Sequence, residues 1–252
     1  MKCMIVIPAR LQSSRLPEKL LLRAGNKSVL QHTYEAACRS RQACDVIVAV
    51  DDARLADEVA AFGGRSRMTS MDCQSGTDRI AEIARQWEDI DIFVNVQGDE
   101  PEIEADTIDA VAQLLMNHPE ADMSTAMTPI THLALLEDPN CVKVLMGANQ
   151  RAITFSRAAI PLARDGDVAS WLAITPPVYF QHIGLYAYRR EFLAWFASQP
   201  TGCLEQIERL EQLRAVEDGK TIVATQVPKA APGIDTLDDF TAFQSRVQSR
   251  QS

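Results

Sequence analysis

Three short runs of apolar and β-branched residues mark the first hundred positions: CMIVI at 3–7, VIVAV at 46–50 and IFVNV at 92–96. Each has the length of a strand buried on both faces, where polar alternation is lost because neither face meets water. The intervening stretches repeat at helical intervals, through Val29, Leu30, His32, Thr33, Ala36 and Ala37, then Leu55, Val59 and Phe62, then Ile80, Ile83, Ala84 and Trp87. Strand alternating with helix predicts βαβ crossovers and a doubly wound α/β sheet, mostly parallel.

The pattern continues less regularly. A helix is expected over 106–117, and strands at 123–128, 142–146 and about 152–156. Residues 161–178 contain Pro161, Gly166, Pro176 and Pro177 with mixed charge, which predicts a loop or flap interrupting the sheet. HIGLYAYRR at 182–190 then reads as a strand, 189–197 as a helix, and 205–218 as a helix carrying Leu204, Ile207, Leu210, Leu213 and Val216 at mostly three-residue steps. A last strand at 221–227 precedes PGIDTLDDF and a terminal helix. With no repeat or low-complexity tract, residues 1–252 are expected to form one domain, with about 155–190 as a flap-like insertion.

Composition narrows the function classes. Of 252 residues 46% are hydrophobic and 23% charged, as in ordinary globular domains. No apolar run approaches the roughly 20 residues of a membrane span. MKCMIVIPAR has too short an apolar segment for an export signal, so a cytoplasmic protein without membrane partners is expected. Six cysteines without a C-x-x-C pair point away from structural zinc and disulfides. A net charge of -9 argues against a nucleic-acid partner.

Against that acidic background IPARLQSSRLPEKLL, 7–21, stands out. Ligands of open α/β sheets bind beyond the carboxyl ends of the strands, and the first strand ends near Ile7. Arg10, Arg15 and Lys19 supply charge there, and Ser13 and Ser14 hydroxyls, so the loop has the makings of a triphosphate cradle. It is neither a P-loop nor a dinucleotide turn. On composition alone, a solvated loop paired with local acids is an equal alternative. VNVQGDEP, 94–101, brings Gln97, Asp99 and Glu100 to the same sheet edge, and PGIDTLDDF adds Asp235, which could equally cap a helix. Two carboxylates facing a cationic phosphate loop suit Mg2+, which favours a few carboxylates plus phosphate oxygens. In CQSGTDR, 73–79, Ser75-x-x-Asp78 reads as a helix cap, whose backbone could also read a base.

IPARLQSSRLPEKLL, QSGTDRIAEI, VNVQGDEP, FSRAAIP, HIGLYAYRREFL, LEQIERLEQLR and GIDTLDDF occur together, in an order and spacing that resembles the CMP-KDO synthetases, the 3-deoxy-manno-octulosonate cytidylyltransferases, across essentially the whole chain. The resemblance implies a Rossmann-like nucleotidyltransferase fold, a homodimer, a need for Mg2+, coupling of CTP to KDO for lipopolysaccharide assembly, and a role for about 155–190 in dimerisation and sugar-acid binding. It implies triphosphate contacts from Arg10, Ser13, Arg15 and Lys19, and cytosine and ribose contacts from Pro8, Ala9, Gln74, Ser75 and Arg79. Asp99 and Asp235 become metal ligands. Gln97, Arg157, His182, Tyr186, Glu211 and Gln212 form a sugar-acid pocket, and Arg10, Lys19, Asp99 and Asp235 the catalytic set.

The chain departs from that family at Glu18, where Gly is expected, at Cys73, where His is frequent, and at Leu237, where Pro is common. Alternatives are a cytidylyltransferase for 8-amino-KDO or neuraminate, and a non-catalytic nucleotide-binding protein of the same fold.

Overall fold

A computed structural model describes the chain apart from Ser14, Gln74, Gly166, Ser252 and the side chain of Gln251. Its strands are β1 (Cys3–Ala9), β2 (Arg23–Ala24), β3 (Lys27–Ser28), β4 (Ala43–Val50), β5 (Ser66–Met68), β6 (Ile92–Asn95), β7 (Met123–Pro129), β8 (Lys143–Met146), β9 (Ala152–Ser156), β10 (Phe180–Arg189) and β11 (Ile222–Gln226). Its helices are α1 (Val29–Ala37), α2 (Ala53–Ala61), α3 (Gly76–Ala84), α4 (Ala105–Asn117), α5 (Leu133–Glu137), α6 (Val168–Leu172), α7 (Arg190–Ser198), α8 (Cys203–Glu208), α9 (Gln212–Glu217) and α10 (Leu237–Gln251).

The main sheet runs β11-β7-β10-β6-β1-β4-β5, with β8 joined to β10 and β9 to β8. β1 lies parallel to both β4 and β6, pairing Val6 with Ile47 on one side and with Asn95 on the other. Its residues alternate between two cores. Ile5 and Ile7 pack with Leu30, Val111, Leu115 and Phe243, while Met4 and Val6 pack with Ile80, Ile83, Leu193 and Phe196. Helices thus cover both faces, and each fully buried aliphatic or aromatic side chain contributes roughly 1.5–3 kcal/mol.

Two expectations change. Strand β10 is no embellishment: it lies between β6 and β7 and runs antiparallel to both. The excursion is therefore confined to the segment between β9 and β10, which includes α6. The single helix expected over 205–218 is broken into α8 and α9, with Arg209 between them in the left-handed region at φ 54°. Three-residue steps lag a 3.6-residue helix by about 60° each, so the apolar stripe drifts around the axis. Ile207 is 73% exposed, whereas Leu210 and Leu213 are buried, and the break reconciles them.

Candidate active site

The cleft forms at the carboxyl ends of β1 and β6, where the open sheet leaves room for a ligand. The basic loop leaves β1 with Leu11 and Leu20 buried as apolar anchors. Asp51, just after β4, accepts the Leu11 N–H at 3.0 Å and faces Arg79 Nη2 at 3.3 Å. Gly98 packs against this loop so closely that an added Cβ would lie 3.1 Å from Pro8 O.

Lys19 is the hub. Its ammonium contacts Asp99 Oδ2, Ile234 O at 2.9 Å and Asp235 Oδ1 at 3.0 Å. Burial draws its pKa down, but Asp99 and Asp235 outweigh burial and the net shift is upward. The Ile234 N–H donates to Asp99 O at 2.9 Å, which pins the two acidic segments together. Asp235 is not the helix cap. The Thr236 and Asp239 pair takes that role, with Asp239 N–H donating to Thr236 Oγ1 at 3.2 Å and Thr236 N–H to Asp239 Oδ2 at 2.8 Å. The Asp235 carboxylate is left to meet Lys19 and, at 3.2 Å, Arg15. Two carboxylates on one ammonium, with room beside them for phosphate oxygens, match the donor set of Mg2+. No group of three potential metal-ligating side chains occurs among the described residues, so phosphate would complete any such site.

Two cavities meet here. One of ≈ 360 Å³ is lined by residues that include Pro8, Arg10, Ser13, Arg15, Lys19, Ser75 and Asp99. The other, ≈ 500 Å³, is lined by Asn95, Glu100, His182, Gly184, Tyr186 and Gln212. They share Gly76, Gln97, Glu211 and Asp235, so they form one continuous cleft. A cavity of ≈ 610 Å³ beside α4 is larger, but three of its four cations meet its acids: Arg246 and Arg250 each lie 2.7 Å from Glu102, and Lys229 lies 3.1 Å from Glu104.

The ≈ 500 Å³ cavity is mostly neutral in character. Burial holds His182 down at about 3, hence uncharged at neutral pH, with Nε2 3.0 Å from Thr125 Oγ1. Burial raises the Tyr186 and Tyr188 hydroxyls and the Glu211 carboxyl, though the Thr77 hydroxyl donating to Glu211 Oε2 at 2.7 Å partly offsets the last. Burial and the adjacent Asp99 push Glu100 up to about 8.

Of the residues that sequence reasoning singled out, most line this cleft, but three of the described ones do not. Arg79 is buried, its guanidinium engaged by Thr69 and Asp51, and cannot reach a base or ribose without leaving that pair. Arg157 donates through Nε to Glu208 O at 2.7 Å and through Nη1 to Pro139 O at 3.0 Å, outside the lining. With Ser156 it grips Glu208, and so steadies the turn from which Glu211 and Gln212 enter the cavity. Ala9 is fully buried within β1. Gln74 lies outside the described residues. The Ser75 hydroxyl lines the cavity but also caps α3, accepting from Asp78 N–H at 3.1 Å.

Residues missed by sequence reasoning are Asn95, Thr77, Tyr188 and Gly184. Of these only Asn95 carried a signal, as a polar side chain within the apolar run IFVNV. Glu18 takes the left-handed backbone expected for Gly, φ 52°, and its carboxylate meets Arg54 at 2.7 Å. Glu18 does not line the triphosphate-sized cavity. Leu237 is the first residue of α10 and exposed, a position where Pro or Leu fits equally. Cys73 Sγ contacts Glu82 at 3.4 Å.

The sequence signature of the cytidylyltransferase family matches residues 4–222. A 3-deoxy-manno-octulosonate cytidylyltransferase of Rhodopirellula baltica is 68% identical over 250 residues, spanning 99% of this chain and 100% of that one. Its counterpart in Leptospira interrogans is 45% identical, spanning 95% of this chain and 93% of that one. The structure of a CMP:2-keto-3-deoxy-manno-octonic acid synthetase complexed with CTP superposes with a TM-score of 0.92 at 37% identity, covering 99% of this chain and 100% of the other. Sequence signature, end-to-end relatives and shared architecture agree, and the chain belongs to the 3-deoxy-manno-octulosonate cytidylyltransferase family.

Proposed function

We propose that the protein transfers CMP from CTP to 3-deoxy-D-manno-octulosonate, giving CMP-KDO and pyrophosphate for lipopolysaccharide biosynthesis. The observation that carries this reading is the continuous cleft. Its cationic end, with Arg10, Ser13, Arg15 and Lys19, has the charge for a triphosphate, and its other end has hydrogen-bonding groups for a polyol.

Arg10, Arg15 and Lys19 hold the phosphates and stabilise charge on the departing pyrophosphate. Pro8 and Ser75 border the nucleoside. Gln97, His182, Tyr186, Glu211 and Gln212 orient the sugar acid so that its anomeric 2-hydroxyl lies in line with the α-phosphorus. The new bond joins that oxygen to phosphorus as the bond to the pyrophosphate oxygen breaks. His182, held neutral by burial, orients hydroxyls and is a poor base at neutral pH. Asp99 and Asp235 are the residues that would hold Mg2+, which when bound offsets phosphate charge and acidifies the attacking hydroxyl.

The same reading makes the protein a cytoplasmic homodimer. Among the described residues no helix is long and apolar enough to cross a membrane. Support for the dimer comes from Leu162 and Trp171, exposed along the excursion between β9 and β10 around a cavity of ≈ 370 Å³. Pyrophosphate release with CTP against KDO, 8-amino-KDO and neuraminate tests the function. KDO is expected to give the highest kcat/KM, and turnover of another acid alone refutes the assignment.

A further inference from the structure

Two buried polar atoms of residues lining the ≈ 500 Å³ cavity have no hydrogen-bond partner among the described residues, Oε2 of Glu100 and Nε2 of Gln212. An unpaired buried polar atom is destabilising, and folded proteins rarely keep one without a use. Gln212 belongs to the sugar-acid set already described, whereas Glu100 has no role assigned to it.

The Glu100 backbone is fixed. Its N–H donates to Gln97 O at 3.1 Å, and its carbonyl accepts from Ile103 N–H at 3.2 Å. Its side chain lines the cavity together with His182, Gly184 and Tyr186. Gly184 sits at the register shift of β10 between Ile183 and Tyr186, and a Cβ added there meets no atom within 4 Å. An orphaned oxygen and open space therefore occur in one cavity.

We propose that Glu100 is a specificity-determining residue of the sugar-acid site, its carboxyl hydrogen-bonding a hydroxyl of the substrate's polyol portion. The inference rests on the cytidylyltransferase reading above. A hydroxyl both donates and accepts, so it satisfies a carboxyl oxygen in either role. The substrate's own carboxylate is the weaker partner, since it would bring a second negative charge up to Asp99, the residue next to Glu100.

The test compares wild type with Glu100→Leu and Glu100→Gln. Glu100→Leu is expected to raise KM for the sugar acid about 10- to 100-fold, the usual loss when a site loses a hydrogen bond to a substrate hydroxyl. CTP affinity, measured by calorimetry without sugar acid, should stay within about twofold, and the melting temperature should rise because an unpaired polar atom is gone. Glu100→Gln keeps shape and both hydrogen-bonding roles, so its KM should rise less than about tenfold. Among KDO analogues each lacking one hydroxyl, wild type should discriminate against one that Glu100→Leu accepts as readily as KDO.

An unchanged sugar-acid KM in Glu100→Leu overturns the inference. So does a lowered melting temperature with weakened CTP binding, which marks a structural role. If wild type releases pyrophosphate with KDO while Glu100→Leu equals it, only the role of Glu100 fails. If wild type turns over no sugar acid, the functional reading fails.

Discussion

Asp51 offers a substitution whose effects on stability and on substrate binding separate cleanly. One oxygen accepts the Leu11 N–H and the other faces the Arg79 guanidinium at 3.3 Å, with side chains 16% and 1% exposed. At an effective dielectric of about 20, a pair at that separation attracts by about 5 kcal/mol gross. Desolvation reduces the net, but neutralising one partner strands a buried charge, a cost at the low end of about 3–5 kcal/mol because Asp51 retains some contact with water. Asp51→Asn is therefore expected to lose about 3 kcal/mol, lowering the melting temperature by about 6–12 °C for a chain of this size. Asn keeps an acceptor for Leu11, so CTP affinity should hold. Asp51→Ala removes the acceptor too, releases the start of the phosphate loop, and should raise KM for CTP about fivefold more, the equivalent of about 1 kcal/mol. Thermal unfolding with initial-rate kinetics measures both. An Asn variant melting with wild type, or Asn and Ala variants alike in KM for CTP, would refute the reasoning.

Asp99→Ala or Asp235→Ala should abolish Mg2+-dependent turnover while circular dichroism stays native, because Thr236 and Asp239 cap α10 without Asp235; full activity in either removes the metal assignment. Lys19→Ala should lower kcat/KM for CTP about 10²- to 10³-fold, as when a single charge-stabilising donor is lost. Unchanged kinetics would take the loop out of the site. His182, lowered to about 3 by burial, binds its proton more readily unfolded, so its own contribution to stability should be intact above about pH 6.5 and fall as pH drops from there toward 3. Because Glu100, raised to about 8, contributes a slope of opposite sign above about pH 4.5, the His182 part is read as a difference: wild type and His182→Gln, compared by urea unfolding across pH, should differ in slope by up to about 1.4 kcal/mol per pH unit; identical slopes locate the acid sensitivity elsewhere.

The elements most legible in the sequence were those decided locally. β1, β4 and β6 lie where dense apolar runs mark them, and α3 starts where Ser75-x-x-Asp78 signals a cap. β10 was legible as a strand but not as the sheet's middle, because its partners are chosen by pairing across long stretches of chain. The break at Arg209 was hidden because three-residue spacing imitates a helix until burial on both sides must be satisfied. In the cleft, the cations of the first loop were legible by position after a strand. The fate of Arg79 was not, since Asp51 is a neighbour only in space. Asp235 escaped certainty for a related reason: one Asp before a helix reads as a cap, and only the presence of Thr236 and Asp239 frees it.

The place of β10 has a consequence for how the molecule comes into being. In the order of synthesis β6 and β7 are both complete well before β10, and the excursion between β9 and β10 must emerge first. Through that interval the nascent chain holds one part-sheet, β6-β1-β4-β5, with its β6 edge unpaired, and a β7 whose sheet partners β10 and β11 are both still to come, and such unpaired strands are templates for pairing with other chains. The same strand carries His182, Gly184 and Tyr186 into the cleft, so sheet closure and completion of the pocket are one event. Lesions that delay that closure should first appear in a cell as insoluble protein, with the soluble remainder still fully competent.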